Sequence, residues 1–485
     1  QKTNHKMCGI TLLVTKQNDK SNDVLRRSLK KIRHRGPDFS GRWSSKDQRV
    51  FACHERLAIV KPESGEQPLY NQSNTMVLIV NGEIYNYKEL AVKYDLKVDL
   101  KSDCDVAVQI FDKTGDIEEL CNVLYGVYSF CLFDTKTNKL HIVRDRMGVM
   151  PLYIGVGSDS IMISSELKGL TDHNIERMEQ FPPGCYLTLS IGEDDASLHQ
   201  LCGKALSTPP PENGLKHVLF DYKQYWSPLA LQLDASKVPA SFELAAKAVH
   251  DTLKQATFTR LENCDVPFGV LLSGGLDSSV IASLAAQYVK QRTNSGSGVS
   301  VGRLHTFSVG MKSSPDLVAA RRVAEFIGST HHELVFTFDQ ALQIVHEVIF
   351  QLETYDPTTI RSSVPMSLMM RMIKSFGIKM VLSGEGADEI FGGYLYFHHC
   401  PSDEEFETET RDKLCQLYHY DILRANKCGA MWGVEVRVPF LSQTVIELAL
   451  KELPANMKRP IPRPDGDKDV NIEKCLVRYA FRDNY

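Results

Sequence analysis

The residue pattern with the clearest chemical meaning is Ser-Gly-Gly-Leu-Asp-Ser-Ser at residues 273–279, between an apolar run and a helical pattern. Glycines let a backbone turn tightly and approach a ligand closely, and the N–H groups that begin a helix point together at an anion. Ser273, Ser278 and Ser279 add hydroxyl donors. Asp277 would repel a phosphate by itself, so its presence indicates a bound Mg²⁺. The stretch predicts a phosphate site; the alternative is an ordinary strand-to-helix turn capped by serine.

Two further strand ends support the phosphate site. The stretch KMVLSGEGADEIFGGY, at residues 379–394, carries the carboxylates Glu385, Asp388 and Glu389 after an apolar run, and LHTFSVG, at residues 304–310, ends a third strand. Ligands of a doubly wound sheet bind outside the carboxyl ends of its strands, so these ends would face one crevice. The alternative for the acidic cluster is a helix start stabilised by the helix dipole. The pattern GxxxxGK[ST] is absent, which excludes a Walker loop.

A second kind of chemistry is indicated by Cys8, which with Gly9 heads an apolar run. Cys8 is either a core cysteine of a first strand or a nucleophile, and a thiol that attacks an amide needs a general base beside it. The motifs that follow are HRGPDFSG (34–41), CHERLAIV (53–60), QPLYN (67–71), VNGEIYN (80–86) and SDC (102–104). Each is weak alone: Asn81-Gly82 is first of all a hairpin signal, and Arg56 could form a structural ion pair.

The elements that position these residues fall into two regions of the 485-residue chain, a length that predicts about two domains. Residues 8–200 contain short β-rich runs separated by polar turns, which predicts layered sheets, with helical patterns at 23–34 and 105–115. After about residue 240, amphipathic helices alternate with short buried strands, which is typical of a parallel sheet. The Pro-rich stretch at 206–216 is typical of a linker or surface insertion.

Composition excludes several function classes. The formal net charge of −4 argues against a nucleic-acid binder. No apolar run approaches a membrane span, and the N-terminal residues lack the apolar core of a secretory signal. The twelve cysteines are spread along the chain without metal-type spacing, so we expect a reduced, cytosolic setting.

The motifs that follow Cys8, in their order and spacing, resemble the class II glutamine amidotransferases, and SGGLDSS resembles the pyrophosphate loop of the ATP pyrophosphatases. As a whole the chain is similar to the glutamine-hydrolysing asparagine synthetases of the bacterial B type. Residues 353–363, 382–398 and 425–441 carry that similarity through the second half. The resemblance implies an α/β protein of two domains: an αββα sandwich of the N-terminal nucleophile hydrolase type at 8–200, a linker at 201–235, and a doubly wound parallel sheet at 236–485.

For the first domain the resemblance implies a glutaminase. Cys8 would be the nucleophile and its own α-amino group the base, because an α-amine with a pKa of about 7.7–8.0 accepts a proton near working pH. Asn81 and the Gly82 N–H would form the oxyanion hole. Arg56 would bind the glutamine α-carboxylate. The remaining implied glutamine contacts are Leu57, Ile59, Val60, Glu83 and Asp103.

For the second domain the resemblance implies that aspartate attacks ATP to form β-aspartyl-AMP and pyrophosphate, after which ammonia displaces AMP. Asp277 and Asp388 would hold Mg²⁺, and Glu385 would position the adenylate or transfer a proton. The implied ATP contacts are Leu272, Ser273, Gly274, Gly275, Asp277, Ser278, Val309, Ser383 and Gly384. The partners are the small molecules glutamine, aspartate and ATP; we expect no nucleic acid, no membrane and a cytoplasmic homodimer.

Two expectations concern the chain ends. A peptide bond on the Cys8 nitrogen removes its basicity, so residues 1–7 are expected to be absent from the active form, with Met7 as the start or with a processed pro-segment; a permanently blocked enzyme is the alternative. The family continues past RYAFRDNY into a segment with a pyrophosphate-facing lysine and a flexible loop, so the chain is expected to be truncated and to lack that lysine.

The alternative functions are a related ATP-dependent amidotransferase that acts on another carboxylate and an inactive regulatory homologue.

Overall fold

A computed structural model describes residues 8–16, 21–36, 38–61, 63–171, 173–192, 194–207, 219–294, 303–462 and 471–484. The chain divides into two compact units. The first comprises Gln1–Trp226 with Gly429–Gly433, and the second comprises Ser227–Cys428 with Val434–Tyr485. Most of the Pro-rich stretch, at 208–218, and residues 1–7 lie outside the described part of the chain.

The first unit contains two six-stranded antiparallel sheets, ordered β10-β8-β9-β1-β3-β2 and β12-β11-β7-β6-β5-β4. The strands are β1 Gly9–Thr15, β2 Phe39–Ser44, β3 Val50–Arg56, β4 Leu69–Tyr70, β5 Met76–Ile84, β6 Gly126–Asp134, β7 Lys139–Arg144, β8 Tyr153–Gly157, β9 Ser160–Ser164, β10 Arg177–Gln180, β11 Cys185–Ser190 and β12 Lys223–Gln224. The helices are α1 Ser21–Ile32, α2 Tyr87–Lys93, α3 Asp105–Thr114, α4 Ile117–Val123 and α5 Asp195–Ser207.

The layers of this unit follow from the alternation of side chains along each strand. Leu12 on β1 belongs to the core that also holds Ile79 on β5, so this core lies between the two sheets. Leu13, on the opposite face of β1, packs with Leu25 and Leu29 of α1. The outer face of the second sheet packs with α2, α3 and α4. The order helix, sheet, sheet, helix confirms the predicted αββα sandwich.

The segment after residue 194 belongs to this unit rather than to an extended connection. Leu198, Cys202 and Ala205 of α5 lie in the core between the sheets, and β12 pairs with β11. The first unit therefore reaches Trp226, whereas the sequence placed its end near residue 200.

The remaining elements follow the alternating pattern predicted from the sequence. The strands are β13 Phe268–Leu271, β14 His305–Gly310, β15 Thr330–Val335, β16 Met380–Leu382, β17 Glu435–Arg437, β18 Ile461–Pro462 and β19 Asn471–Ile472. The helices are α6 Phe242–Glu262, α7 Leu276–Asn294, α8 Pro315–Ile327, α9 Phe338–Leu352, α10 Pro357–Ser375, α11 Ala387–Phe391, α12 Asp403–Gln416, α13 Asp421–Trp432, α14 Gln443–Lys451, α15 Ala455–Lys458 and α16 Cys475–Ala480.

Five of these strands form a parallel sheet in the order β15-β14-β13-β16-β17, which confirms the predicted doubly wound sheet. The chain moves outward from β13 in one direction and then returns to place β16 on the other side of β13. The crevice between β13 and β16 is therefore the switch point where such sheets bind ligands. Within the described part of the chain, no helix combines the length and apolar character that crossing a membrane requires.

Candidate active sites

Cys8 lies immediately before β1, half-buried, with its thiol against the loop that follows β3. The N–H of Leu57 donates to Cys8 Sγ at 3.2 Å, and the thiol lies 3.5 Å from the Leu57 carbonyl oxygen. The two strands are antiparallel neighbours with Gly9 opposite Glu55, which brings the end of β3 beside the start of β1. A sulfur that accepts a backbone N–H and is partly open to solvent is accessible for reaction, unlike a cysteine sealed in a core.

Asn81 and Gly82 lie inside β5 and not in a turn. They pair with Ser129 and Tyr128 of β6, so the hairpin interpretation of the Asn-Gly pair is wrong. The side-chain Nδ2 of Asn81 is buried and has no hydrogen-bond partner in the structure. Gly82 has a φ of 143°, and a Cβ there would lie 2.1 Å from the carbonyl oxygen of Val127. The strand thus presents an unsatisfied amide donor beside a residue that must be glycine.

Cys104 joins the predicted glutamine-binding acids to this strand, and the sequence did not single it out as a site residue. Its thiol donates to the Gly82 carbonyl oxygen at 3.3 Å, and the Ile84 N–H donates to Asp103 Oδ2 at 2.7 Å. Burial, followed by the negative charges of Asp103, Glu83 and Cys8, raises the pKa of Cys104 well above its usual value. Cys8, Glu83 and Asp103 therefore all lie close to the buried thiol of Cys104.

Arg56, the last residue of β3, is almost fully buried. Its NH2 group donates to the Lys61 carbonyl oxygen at 3.1 Å. A Cβ on Gly65 would lie 3.2 Å from that same nitrogen and 2.9 Å from Ser102 Cβ, so the guanidinium lies close to the loop that carries Asp103. Leu57, Ile59 and Val60 form the buried loop after β3.

The phosphate loop of the second unit folds as predicted between β13 and α7. The Gly275 N–H donates to Ser273 Oγ at 3.2 Å, and the Ser273 and Ser278 hydroxyls lie 3.0 Å apart. Ser279 differs from the prediction that its hydroxyl donates to the phosphate. The hydroxyl is almost buried and donates to the Gly275 carbonyl oxygen at 2.7 Å, so it stabilises the start of α7 instead. Gly274 has a φ of 83° and packs against α8, where a Cβ would lie 2.4 Å from the Ala320 nitrogen.

Both glycine loops line one cavity of about 650 Å³. Its walls include eleven residues that the sequence singled out for the nucleotide, metal or adenylate: Leu272, Ser273, Gly275, Asp277, Ser278, Val309, Ser383, Gly384, Glu385, Asp388 and Glu389. Of the predicted ATP contacts, Gly274 alone does not line it. A Cβ on Gly384 would lie 2.9 Å from the Ser278 nitrogen, so the two loops touch.

Lys474 binds two of the carboxylates that line this cavity. Its Nζ donates to Asp277 Oδ2 at 2.6 Å and to Asp388 Oδ1 at 2.7 Å. Burial lowers the pKa of Lys474, but the two carboxylates outweigh it and raise the pKa above its usual value. The expectation that the chain lacks a lysine at this site is therefore wrong. The only local signal was a lysine just before an apolar helix, which is too common to predict a role.

Glu385, which also lines this cavity, is held by an ion pair. Arg424 NH2 lies 2.9 Å from Glu385 Oε2, and the other Arg424 nitrogen pairs with Asp421. Burial raises the pKa of Glu385 and Arg424 opposes that shift. Glu389, the third carboxylate of the cluster, accepts a hydrogen bond from the Tyr394 hydroxyl. The pair with Arg424 anchors the Glu385 carboxylate in the cavity wall, which a simple acidic helix start does not require.

Comparison with known proteins matches each half of the chain to a family. The glutamine amidotransferase domain family matches residues 7–204, and the asparagine synthase family matches residues 248–409 and 400–484.

Similar plant proteins cover almost the whole chain. One is asparagine synthetase [glutamine-hydrolyzing] 3 of Arabidopsis thaliana, 43% identical over 98% of this chain and 75% of its own length. Another is asparagine synthetase [glutamine-hydrolyzing] of Asparagus officinalis, 41% identical over 98% of this chain and 74% of its own. Together with the two sites, these similarities establish that the chain belongs to the family of glutamine-hydrolysing asparagine synthetases.

Proposed function

We propose that this protein makes asparagine from aspartate, glutamine and ATP. The first unit hydrolyses glutamine to glutamate and ammonia, and the second forms β-aspartyl-AMP and transfers ammonia to it with release of AMP. The observation that carries the proposal is the presence of two sites in one chain. The first unit has a half-buried thiol and an unsatisfied amide donor, and the second has two glycine loops that line a single cavity, with Lys474 bound to two of its carboxylates.

At the first site the Cys8 thiolate attacks the glutamine side-chain carbonyl carbon, and a C–S bond forms while ammonia leaves. The developing oxyanion would accept hydrogen bonds from Asn81 Nδ2 and the Gly82 N–H, which removes charge from the transition state. Arg56 would bind the α-carboxylate, and Glu83 and Asp103 the α-ammonium group. Water then hydrolyses the thioester. The α-amino group of Cys8 is the proposed base, so the active form carries it free.

At the second site an aspartate β-carboxylate oxygen attacks the α-phosphorus of ATP, and pyrophosphate leaves. The loop N–H groups at 273–278 and the Lys474 ammonium would bind the leaving pyrophosphate. Leu272, Val309, Ser383 and Gly384 would contact the rest of the nucleotide. Glu385 and its partner Arg424 would orient the aspartyl group.

The residues present fit Mg²⁺. Asp277 Oδ1 is buried without a hydrogen-bond partner, although Oδ2 of the same carboxylate binds Lys474, so one oxygen remains for a cation. Asp277 and Asp388 would hold the ion, which typically takes one or two carboxylates and completes its shell from phosphates and water. Bound there, Mg²⁺ would neutralise charge on the leaving pyrophosphate.

The test follows a label from glutamine to product. Glutamine carrying nitrogen-15 in its side-chain amide is incubated with aspartate, ATP and Mg²⁺, and asparagine, AMP and pyrophosphate are quantified. We expect labelled asparagine with one AMP and one pyrophosphate each. Pyrophosphate release with another carboxylate but not with aspartate would support the related amidotransferase instead. No release with any carboxylate would support the inactive homologue.

Replacement of Cys8 by alanine separates the two sites. Cys8→Ala should lower glutamine-driven asparagine formation by at least about 10³-fold, as loss of a nucleophile does, while ammonium-driven formation continues. Cys400→Ala, at a half-buried thiol of the second unit, is the matched control and should leave both rates unchanged. Unchanged glutamine-driven synthesis in Cys8→Ala would reject the glutaminase assignment.

A cytoplasmic location and a homodimer stay predictions, tested by cell fractionation and by measuring the mass of the protein in solution.

A further inference from the structure

The position of Cys8 raises a physical problem. Its strand β1 begins only at Gly9, so in an active form that starts at Cys8 the nucleophile is a terminal residue outside the strand. Terminal residues fray unless other parts of the fold bind their backbone. A nucleophile that strays by about 1 Å from its attack position loses rate by as much as about 10²-fold. Some part of the fold must therefore hold the backbone on both sides of Gly9.

The geometry points to Ser165 and Glu166 as positioning residues that hold the nucleophile, Ser165 through the backbone of Ile10 and Glu166 through Arg35, which binds the Cys8 carbonyl. The inference rests on the proposed glutaminase function. Neither residue touches the substrate in this role.

Ser165 fixes the strand on one side of Gly9. The Ile10 N–H donates to Ser165 Oγ at 3.0 Å, and the Ser165 N–H donates to the Ile10 carbonyl oxygen at 3.0 Å. Both polar groups of Ile10 are thus bound by one residue just beyond the end of β9. Ser165 is fully buried, so water does not compete for these bonds.

Glu166 fixes the other side. Arg35 Nε donates to the Cys8 carbonyl oxygen at 2.8 Å, and Arg35 NH1 donates to Glu166 Oε1 at 2.8 Å. Arg35 and Glu166 are both fully buried. The carboxylate therefore sets the plane of the guanidinium that binds the nucleophile's own backbone.

Two more side chains hold Glu166 itself. His34 Nε2 lies 3.0 Å from a Glu166 carboxylate oxygen, and Lys168 Nζ pairs with Oε2. Burial would raise the pKa of Glu166, but His34, Lys168 and Arg35 hold it well below its usual value. Arg35 and Lys168 thus both face this one carboxylate.

The negative charge of Glu166 allows a positioning role to be told apart from an electrostatic one. Glu166→Gln removes a negative charge, which favours the Cys8 thiolate and shifts its reactivity to lower pH. If Glu166 positions Arg35, the same change also lowers the limiting rate at high pH, where the thiolate is fully formed. A purely structural role would lower only the unfolding temperature.

The experiment measures alkylation of Cys8 by a glutamine-analogue diazoketone in protein that contains both units and begins at Cys8, with the modified peptide identified by mass spectrometry. The maximal inactivation rate and the half-saturating reagent concentration are determined from pH 6 to 9. For Glu166→Gln we expect the limiting rate to fall about 10-fold, because Arg35 is no longer held in place and lets the Cys8 backbone shift. The half-saturating reagent concentration should stay within about twofold of the parent value. Ser165→Ala should lower the rate in the same direction and carries the test if Glu166→Gln does not fold.

Asp145→Asn is the matched control. Asp145 is equally buried in the same unit and accepts the N–H groups of Met147, Val149 and Met150. This variant should unfold at a lower temperature and alkylate at the parent rate. If folded Glu166→Gln and Ser165→Ala alkylate at the parent rate, or if Asp145→Asn loses as much alkylation rate as they do, the positioning inference is wrong while the glutaminase proposal stands. Failure of the parent to alkylate at Cys8 would instead overturn the glutaminase proposal and the inference with it.

Discussion

At the scale of single residues, the absence of a side chain decides whether each site can form. Gly82 lets β5 pass within contact of Val127 beside Asn81, and Gly393 leaves room for Asp388 and Lys474 to meet. A Cβ on Gly393 would lie 1.9 Å from Asp388 Oδ1 and 2.6 Å from Lys474 Cε. The obstructing atoms belong to side chains that can move, so a methyl group there displaces the ion pair rather than the backbone.

We therefore predict that Gly393→Ala folds but lowers aspartate-dependent exchange between ATP and pyrophosphate by about 10²-fold, the loss expected from a displaced reacting group. Glutamine hydrolysis should continue at the parent rate. Gly203→Ala, in α5 with nothing within 4 Å of its added methyl group, is the control and should leave both activities unchanged. Exchange at the parent rate in a folded Gly393→Ala would contradict this account of the site.

At the scale of elements, His54 links the two sheets of the first unit. It lies on β3, fully buried, and its Nε2 is 3.1 Å from the Val80 carbonyl oxygen on β5. Nδ1 is buried without a partner, so protonation would add an unpaired donor to the core. Burial, and then the charge of Arg56, lowers the pKa of His54 to about 3. The imidazole is therefore neutral in the folded protein and donates from Nε2.

This pKa predicts an acid-sensitive first unit. The unfolded chain takes up a proton on His54 near pH 6.5 and the folded chain only near pH 3. Stability is therefore full above about pH 6.5 and falls as the pH drops toward 3, by on the order of 4 kcal/mol from this group. His54→Gln, which keeps a donor for Val80, should flatten the pH dependence of the free energy of unfolding measured in guanidinium by tryptophan fluorescence.

The control for this prediction is His199→Gln, at an exposed histidine of α5. It should keep the parent's pH profile. An equally steep loss of stability in His54→Gln would show that other groups, such as the buried His141, account for the acid sensitivity.

At the scale of the whole molecule, the synthetase site is assembled from distant parts of the chain. Lys474 meets Asp277 across 197 residues and Asp388 across 86 residues. Lys474 has a φ of 52° and directly precedes α16, whose residues Cys475, Leu476 and Val477 are buried. The packing of α16 therefore holds the ammonium group between the two carboxylates.

Because Lys474 lies between the residues proposed to bind the metal ion, it should compete with a cation when no nucleotide is bound. We predict that Lys474→Met binds Mn²⁺, a probe for Mg²⁺, several-fold more tightly than the parent without ATP, since an opposing charge is removed. Exchange between ATP and pyrophosphate should fall by about 10²-fold, as when a charge-stabilising group is lost. Mn²⁺ titration by electron paramagnetic resonance measures the first effect.

Arg482→Met, which removes a positive charge from the partly exposed end of the same region, is the control and should change neither quantity. Weaker or unchanged Mn²⁺ binding in Lys474→Met would argue against competition between the ammonium group and the cation.

The sequence by itself determined the features that depend on short spacing. Short apolar runs located β1, β13, β14 and β16. The turn between β13 and α7 was readable because glycine and serine act on their own backbone. The motifs after Cys8 pointed to the first site for the same reason, since each motif is one local stretch of chain.

Only the tertiary structure decided which distant residues meet. It paired Asn81-Gly82 with β6 instead of leaving a turn, committed Ser279 to Gly275, and brought Lys474 to Asp277. It also brought Cys104 to Gly82 and Glu166 to Arg35. Contacts across many residues arise from packing of whole elements, and a single buried lysine or glutamate leaves no periodic trace in the sequence.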